Sequence, residues 1–386
     1  MGTVYLDNAA TTKSKQEVIN VMMPYLNGDK WHNPSSLYSA GVKVKSDIES
    51  ARKTVANFIG ADSNEVYFTS SGSESNCWAL RGFVDNVIDN DYHPVIITSQ
   101  IEHKSILSCV HALAKRNVDV VELGVDRDGF IDVDELESFL NAYYDREHYK
   151  VLVSIQFANN EIGTIQPIKE VSEVAHHYNA VLHVDAVQAA GQIPINVNVL
   201  GIDMMTVSGH KIGCPRGSAF LYKKNGIEIE PLIFGSQEMG LRGGTESVHQ
   251  IIGMAKAVEL ARDNVKLQTR IELTRDFFVD KLKGAGCKLI GDDEYRLPNN
   301  ISVMMPEGVG GEETLYLLDM GNFQISTGSA CNSREVAPSH VLKAIGLTDE
   351  EAARVIRITF SSDITFEQIE DVVNEIDKTI KLLSMQ

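Results

Sequence analysis

The sequence predicts an α/β fold with a mainly parallel central sheet, followed by a smaller α+β domain. Three observations lead there. Short β-branched runs alternate with segments of helical period over the first two thirds of the chain. Those runs are apolar on both alternating faces, as in strands covered on both sides. After about residue 247 the alternation stops, and a long helical stretch leads into a second group of strands.

The strand runs are "EVYFTS" (65–70), "PVIITS" (94–99), "VDVVEL" (118–123), "VLVSIQF" (151–157), "VLHVDA" (181–186), "DMMTVS" (203–208) and "SAFLY" (218–222). Between most of them lie helical segments such as "SDIESARKTVANFIG" (46–60) and "IKEVSEVAHHYNA" (168–180). Repeated strand–helix–strand units imply parallel pairing, since such a crossover returns the chain in the same direction. The stretch "VHQIIGMAKAVELARDNVKLQTRIELTRDFFVDKLKG" reads as one helical connector, and "NNISVMM", "FQIST" and "RVIRITF" as strands of the smaller domain. The expected division gives 15–258 to the large domain and 1–14 with 259–386 to the small one, which carries the loop around Cys331. No Pro/Ser-rich linker separates them, so firm packing is expected.

Composition narrows the function. With 35 basic and 53 acidic side chains the formal charge is −18, which repels nucleic acid and anionic lipid. No apolar run approaches the roughly 18–20 residues needed to span a bilayer, and the N-terminus lacks a basic region followed by an apolar one. Leu6 stands where a myristoylation signal needs Ser or Thr. The five cysteines (Cys77, Cys109, Cys214, Cys287, Cys331) are widely spaced, with no C-x-x-C pair for zinc or redox exchange, so a reducing, cytoplasmic setting is expected.

Ligands of α/β sheets bind beyond the carboxyl ends of the strands, so the residues just after each run are the informative ones. "SGSESN" follows the first run and opens a helix, where backbone N–H groups and the Ser73 hydroxyl could hold a phosphate. Small residues there are commonly just a cap. His103 follows the second run; a histidine at such a place is more often structural than catalytic. Asn159 and Asn160 follow "VLVSIQF", where a turn is the ordinary role. Asp185 ends an apolar strand, and a buried carboxylate calls for a cationic partner. His210 and Lys211 follow "DMMTVS" in a Gly-rich bend. A lysine is usually a surface residue, but at a strand end burial favours its neutral amine, a nucleophile able to form a Schiff base. A phosphate cradle, a histidine, a buried carboxylate and an amine at adjacent strand ends together suit pyridoxal phosphate, whose phosphate, ring, ring nitrogen and aldehyde need those four partners.

Other motifs fail on spacing. "DRDGFIDVDELE" (126–137) has Gly129 fourth from Asp126, whereas a calcium loop needs it sixth. Asp132 and Glu135 read better as a capping box. There is no G-x-x-x-x-G-K-[ST], G-x-S-x-G or H-E-x-x-H. His176 and His177, adjacent on a helix, cannot face one metal together, and no resident metal is expected.

Nine segments, in order over almost the whole chain, carry a family resemblance: "YLDNAATT" (5–12), "NPSSLYSAG" (33–41), "FTSSGSESN" (68–76), "EHKS" (102–105), "NNEIGTIQPI" (159–168), "HVDAVQAAGQ" (183–192), "SGHKIGCPRG" (208–217), "LRGGTESVHQIIGM" (241–254) and "STGSACNS" (326–333). By them the sequence resembles the cysteine desulfurases of the class V aminotransferase group, in the branch of iron–sulfur-cluster and nitrogenase-associated enzymes. The resemblance implies an aminotransferase-like large domain of fold type I and pyridoxal 5'-phosphate as cofactor. It implies that Lys211 bonds to the cofactor and moves protons, that Asp185 keeps the ring nitrogen protonated, that His103 stacks on the ring and relays protons, and that Gln188 meets the ring hydroxyl. Gly72, Ser73, Ser208 and His210 align with phosphate-binding positions, and Thr245 with one reaching the other subunit's cofactor, hence a homodimer. Asn160 and Arg357 align with residues holding the carboxylate of the substrate L-cysteine.

Cys331 aligns with the nucleophile that takes the substrate sulfur as a persulfide, releases alanine, and passes sulfur to an acceptor such as an iron–sulfur scaffold, touching a nascent cluster transiently at most. Gly328, Ser329 and Ala330 fit a loop with no bulk near that thiol. The departures are few. Ser73 replaces a commoner threonine, Asn76-Cys77 stands where acidic and amide residues are usual, and the Gly-Arg pair often following Arg357 is missing. Cys214, in a tight bend before Pro215, reads as structural. The alternatives are another class V enzyme (selenocysteine lyase, aminotransferase or β-lyase) or a docking scaffold for sulfur assembly.

Overall fold

The computed structural model describes residues 2–144, 148–327 and 338–385. The chain opens with a short strand β1 (Val4–Tyr5) and two helices, α1 (Gln16–Leu26) and α2 (Ser39–Ile59). There follow β2 (Val66–Thr69), α3 (Gly72–Asp89), β3 (His93–Ser99), α4 (Lys104–Ala114), β4 (Asp119–Leu123), α5 (Val133–Tyr144), β5 (Tyr149–Gln156), α6 (Ile168–His177), β6 (Val181–Asp185), α7 (Val197–Leu200), β7 (Met204–Ser208) and β8 (Ala219–Lys223). Strands β2 to β8 form one seven-stranded sheet in the order β2-β8-β7-β6-β5-β3-β4. The pairings among β3 to β7 are parallel, while β8 runs antiparallel to both β7 and β2. β2 therefore shares the direction of the five, and its carboxyl end lies on the same edge as theirs. The mainly parallel sheet expected from the unbroken apolar runs is what forms.

Both faces are covered, and successive side chains go to opposite cores, as the pleat requires. Val95 and Ile97 join a core with α1, α2 and α6, whereas Ile96 joins another with α3 and α4. Val151 and Val153 face the first core and Leu152 the second.

Beyond the sheet come α8 (Val248–Val265), α9 (Gln268–Gly284), β9 (Lys288–Leu289), β10 (Asn300–Met304), α10 (Gly311–Met320), β11 (Phe323–Gln324), β12 (Ser326–Thr327), α11 (His340–Ala344), α12 (Asp349–Ala353), β13 (Val355–Thr359) and α13 (Phe366–Leu383). The expected single helical connector is two helices, separated at Lys266 and Leu267. Ala257, Val258 and Ala261 of α8 pack into the first core, while Ile271, Phe278 and Leu282 of α9 pack under the second sheet. One straight helix could not reach both. "FQIST" likewise divides: β11 pairs in parallel with β1, and β12 pairs with β13 in the antiparallel sheet β12-β13-β10-β9. The chain changes sheets at Ile325.

The calcium-like segment is a turn closed by its own first residue: Asp126 Oδ1 accepts from the N–H groups of Asp128 and Phe130, both at 2.9 Å. Asp132 caps α5 by accepting from Asp134 N and Glu135 N at 2.9 and 3.3 Å.

Candidate active site

Each parallel strand delivers its next residues to one edge of the sheet. Gln156 at the end of β5 lies in register with Asp185, and Asp185 with Thr206 of β7. His103 follows β3, Asn160 follows β5, Gln188 follows β6, and His210 and Lys211 follow β7. On the far side β2 ends just before α3. A Cβ on Gly72 would come within 3.0 Å of Val187 Cγ2 and 3.4 Å of Ser208 Cβ, so a side chain there would press the start of α3 away from the β6 and β7 ends unless Val187 gave way. Ser71 caps α3, accepting from Glu74 N at 3.1 Å, and Ser73 is exposed in the first turn, where N–H groups have no intrahelical partner.

Asp185 is 6% exposed, and it is not salt-bridged as a buried strand-end carboxylate was expected to be. Its Oδ2 accepts from Asn76 Nδ2 at 2.7 Å and its Oδ1 from Val187 N at 3.0 Å, and no ion pair to it occurs among the described residues. Two neutral donors leave acceptor capacity for a further, cationic donor. Asn76, reaching in from α3, also donates to Ser105 Oγ at 2.9 Å, and its own Oδ1 is buried without a partner.

His103 caps α4, its Nδ1 accepting from Ser105 N at 3.1 Å with Ser105 Oγ at 2.8 Å. The ring opens to solvent from within a recess. Desolvation there holds its pKa below the ordinary imidazole value, Lys211 and Lys104 act in the same direction, and Asp185 opposes them. His210 is pushed down to about 4 by burial, with Lys211 and Arg216 adding to the effect. Both imidazoles are therefore neutral near pH 7.

The small-residue run 7–12 closes the edge from the opposite end of the sequence. Lys211 Nζ donates to the Ala9 carbonyl and, at 2.8 Å, to that of Ala10. Gln188 Nε2 donates to Ala9 O at 3.0 Å, and His210 Nδ1 lies 3.1 Å from Thr11 Oγ1. Arg357 on β13 is 3% exposed. Its Nη2 pairs with Asp7 Oδ1 at 2.8 Å, its Nη1 donates to the Asn160 carbonyl at 3.1 Å, and its Nε is buried without a partner. Of the adjacent asparagines it is Asn159 that makes the turn, accepting from Glu161 N and Ile162 N at 2.8 and 3.0 Å.

Thus the structure brings Gly72, Ser73, His103, Asn160, Asp185, Gln188, Ser208, His210, Lys211 and Arg357 to one region. Thr245 is exposed in the segment leading into α8, and the hydrogen bonds joining the others do not reach it. Cys331 lies outside the described residues. Cys214 is 1% exposed, and burial pushes its thiol up to about 11, in keeping with a structural role. Sequence reasoning missed Asp7, Asn76 and Ser105 as partners. Only the polarity of the small-residue run hinted at the first, and nothing local marked the other two.

Next to His103, Glu102 is fully buried; Ser99 Oγ and Gln156 N donate to its Oε1 at 2.8 and 2.9 Å, while Oε2 has no partner. Burial pushes its pKa up to about 8. Burial likewise pushes Glu161, which accepts from Ser339 Oγ at 2.5 Å, up to about 7. Between the ordinary carboxylate value and these raised ones, the folded chain holds protons that the unfolded chain has lost. Stability from this source is therefore full below about pH 4.5 and is lost as pH rises to about 8, by up to about 1.4 kcal/mol per pH unit for each group. Glu102→Gln should flatten that decline and raise the urea midpoint most at pH 8.5; equal pH slopes for variant and wild type would contradict it.

The fold and this edge define a large α/β enzyme whose site combines an amine, a buried carboxylate and a helix N-terminus. The profile of the class V aminotransferase family matches residues 4–372, and the chain belongs to that family, whose members use pyridoxal phosphate. The chain is similar to "Cysteine desulfurase IscS" of Dictyoglomus turgidum, with 42% identity over 98% of this chain and 95% of that protein. Among solved structures it is similar to a "NifS-like protein" at 33% identity, with a TM-score of 0.90, over 99% of this chain and all of the other. It is also similar to "SspA in complex with cysteine", with 32% identity and a TM-score of 0.80 over 93% of this chain and 99% of the other.

Proposed function

We propose that this chain is a pyridoxal-phosphate-dependent cysteine desulfurase, which converts L-cysteine to L-alanine and keeps the sulfur as a persulfide on Cys331. The observation that carries the reading is the meeting of Lys211, Asp185, His103 and the start of α3 at one sheet edge, in a chain that also contains "STGSACNS". The names of the similar proteins, one of them seen with cysteine, support the same substrate.

The residues present fit the cofactor. Asp185 keeps acceptor capacity for a protonated ring nitrogen, and Gly72 lets the start of α3 lie close against Val187 and Ser208 at the β6 and β7 ends. In this reading the first-turn N–H groups of α3 hold the phosphate with Ser73, Ser208 and His210. Asn76 and Val187 N orient Asp185, which holds the proton on the ring nitrogen. Gln188, beside Ala9, would meet the ring hydroxyl. When bound, pyridoxal phosphate supplies an aldehyde for amines and an electron-poor ring that accepts charge from the substrate Cα. Lys211 is the amine that would hold that aldehyde, and it would carry the proton to and from Cα. His103, neutral and fixed by Ser105, would cover the ring and relay protons. Arg357, aligned by Asp7, and Asn160 hold the substrate carboxylate. The Cys331 thiolate attacks the substrate sulfur; the S–S bond forms as C–S breaks, and the carbon left behind takes up a proton and departs as alanine.

A homodimer, with Thr245 reaching the partner's cofactor, belongs to the same reading and is supported by the exposure of Leu37 and Phe234 at 96% and 86%. So do residues 15–258 as the cofactor-binding domain, a sulfur acceptor such as an iron–sulfur scaffold, and a reducing, cytoplasmic setting. No helix among the described residues is long and apolar enough to cross a membrane. The test is to give L-cysteine to the loaded protein with and without a thiol reductant. Near-equal alanine and sulfide, both lost in Cys331→Ala, are expected. Pyruvate and ammonia, or undiminished alanine in the variant, would make it a lyase or aminotransferase instead.

A further inference from the structure

We propose that Cys77 and Cys109 form a second thiol site, an oxidisable pair that closes into a disulfide between α3 and α4. The sequence separates them by 32 residues and shows no C-x-x-C, but the fold brings them together: Cys109 Sγ points its hydrogen at Cys77 Sγ from 3.8 Å. The two residues are unequal in access. Cys109 is 8% exposed, whereas Cys77 is half-buried at the edge of the α3–α4 contact and can be reached from solvent. Arg81, one turn further along α3, is exposed, and its positive charge favours the Cys77 thiolate.

These contacts divide the roles. The Cys109 S–H and the Arg81 guanidinium both favour the Cys77 thiolate and lower its pKa against the opposing effect of burial, while Cys109 is held as the thiol. Cys77 is thus the attacking sulfur and Cys109 the resolving one. The oxidant is a low-molecular-weight disulfide. The Cys77 thiolate attacks one of its sulfurs, giving a mixed disulfide and releasing one thiolate. Cys109 then loses its proton to solvent, attacks the Cys77 sulfur and releases the second thiolate. Two protein thiols and one small disulfide become one protein disulfide and two small thiols. The contact must shorten from 3.8 Å to about 2.05 Å as the bond forms.

The bond would bear on the cofactor site. Asn76, adjacent to Cys77, already ties α3 to Ser105 of α4 and to Asp185, and the two helices begin at Gly72 and just after His103. Closing the pair fixes the relation of those two helix starts. It also cross-links a long loop and restricts the unfolded chain.

The holoenzyme would be incubated with glutathione disulfide, alkylated and mapped by mass spectrometry without reduction. The expected result is a Cys77–Cys109 linked peptide, two hydrogens lighter than the reduced pair, reversed by dithiothreitol and accompanied by a higher thermal midpoint. Cys109→Ala should stop at the mixed disulfide on Cys77, and Cys77→Ala should leave Cys109 unmodified. Glutathione retained on wild-type Cys77 without linkage, or both thiols alkylated as fast after oxidation as before it, would overturn the proposal. Because the readout is the state of these two thiols, it stands apart from the fate of Cys331 and of the desulfurase reading.

Discussion

Lys211→Ala is expected to leave a folded protein whose alanine formation from L-cysteine falls by at least about 10³-fold, because the site loses its amine nucleophile and its proton carrier together. The fold should survive. The half-buried Lys211 amine donates to two backbone carbonyls, Ala9 O and Ala10 O, at the surface of the edge. Releasing them costs on the order of 1 kcal/mol per bond, a small part of the stability of a chain this size. Circular dichroism and the thermal midpoint should therefore change little while turnover disappears. Lys211→Arg sharpens the comparison. It keeps the charge near Ala9 and Ala10, but a guanidinium stays protonated and cannot bond to an aldehyde, so it should be as inactive as the alanine variant. Turnover within about tenfold of wild type in either variant would remove Lys211 from the reaction.

How far such a site can be read in advance depends on what a sequence pattern encodes. An apolar run that ends in Asp185, or in Ser208 before His210 and Lys211, announces a strand end because burial and strand length set the pattern. Parallel pairing then sends the ends to one edge, so the amine, the carboxylate and the start of α3 were legible without knowing which strands are neighbours. Pairings across the chain were not. Asp7 meets Arg357 from 350 residues away, and Asn76 meets Asp185 from 109. No periodicity records such a contact, because each residue is locally an ordinary polar group. The same blindness hid the break at Lys266 and Leu267, where both flanking segments are helical and only their separate cores demand a turn. It also hid the Cys77–Cys109 contact. The buried carboxylate of Asp185 was expected to have a cation from the chain, and in the structure it has an amide and a backbone N–H instead. A charge left without its counterion inside a protein points to a ligand more strongly than a paired one would.

Glu238→Ala is expected to cost about 3–5 kcal/mol of stability, because it strands a buried guanidinium. Arg52 on α2 is 5% exposed and Glu238 is 6% exposed. The two form a fork, with Nη1 and Nη2 at 2.6 and 2.9 Å from the two carboxylate oxygens. Arg52 Nη1 also donates to Val66 O at 2.7 Å, and Glu238 Oε2 also accepts from Phe68 N at 2.8 Å, so the pair ties α2 and β2 to the turn at 238–240. That turn holds Glu238 and Met239 at φ of 45° and 57°, a left-handed conformation that side-chain-bearing residues resist. The fork is the visible restraint on it. With the carboxylate gone, the guanidinium keeps its Val66 bond, its place over the Phe68 ring at 4.8 Å and a contact with the exposed Glu49 at 3.5 Å that water screens, none of which replaces a buried counter-charge. The pair itself need not be a net source of stability, since removing both charges together also removes their desolvation. Hence Arg52→Met combined with Glu238→Leu should be markedly less destabilising than the two single changes added together, with a coupling of at least about 2 kcal/mol by urea unfolding. Additive losses would mean that solvent reaches Arg52 once the turn opens, and that the turn rather than the charge pair seals this end of the sheet.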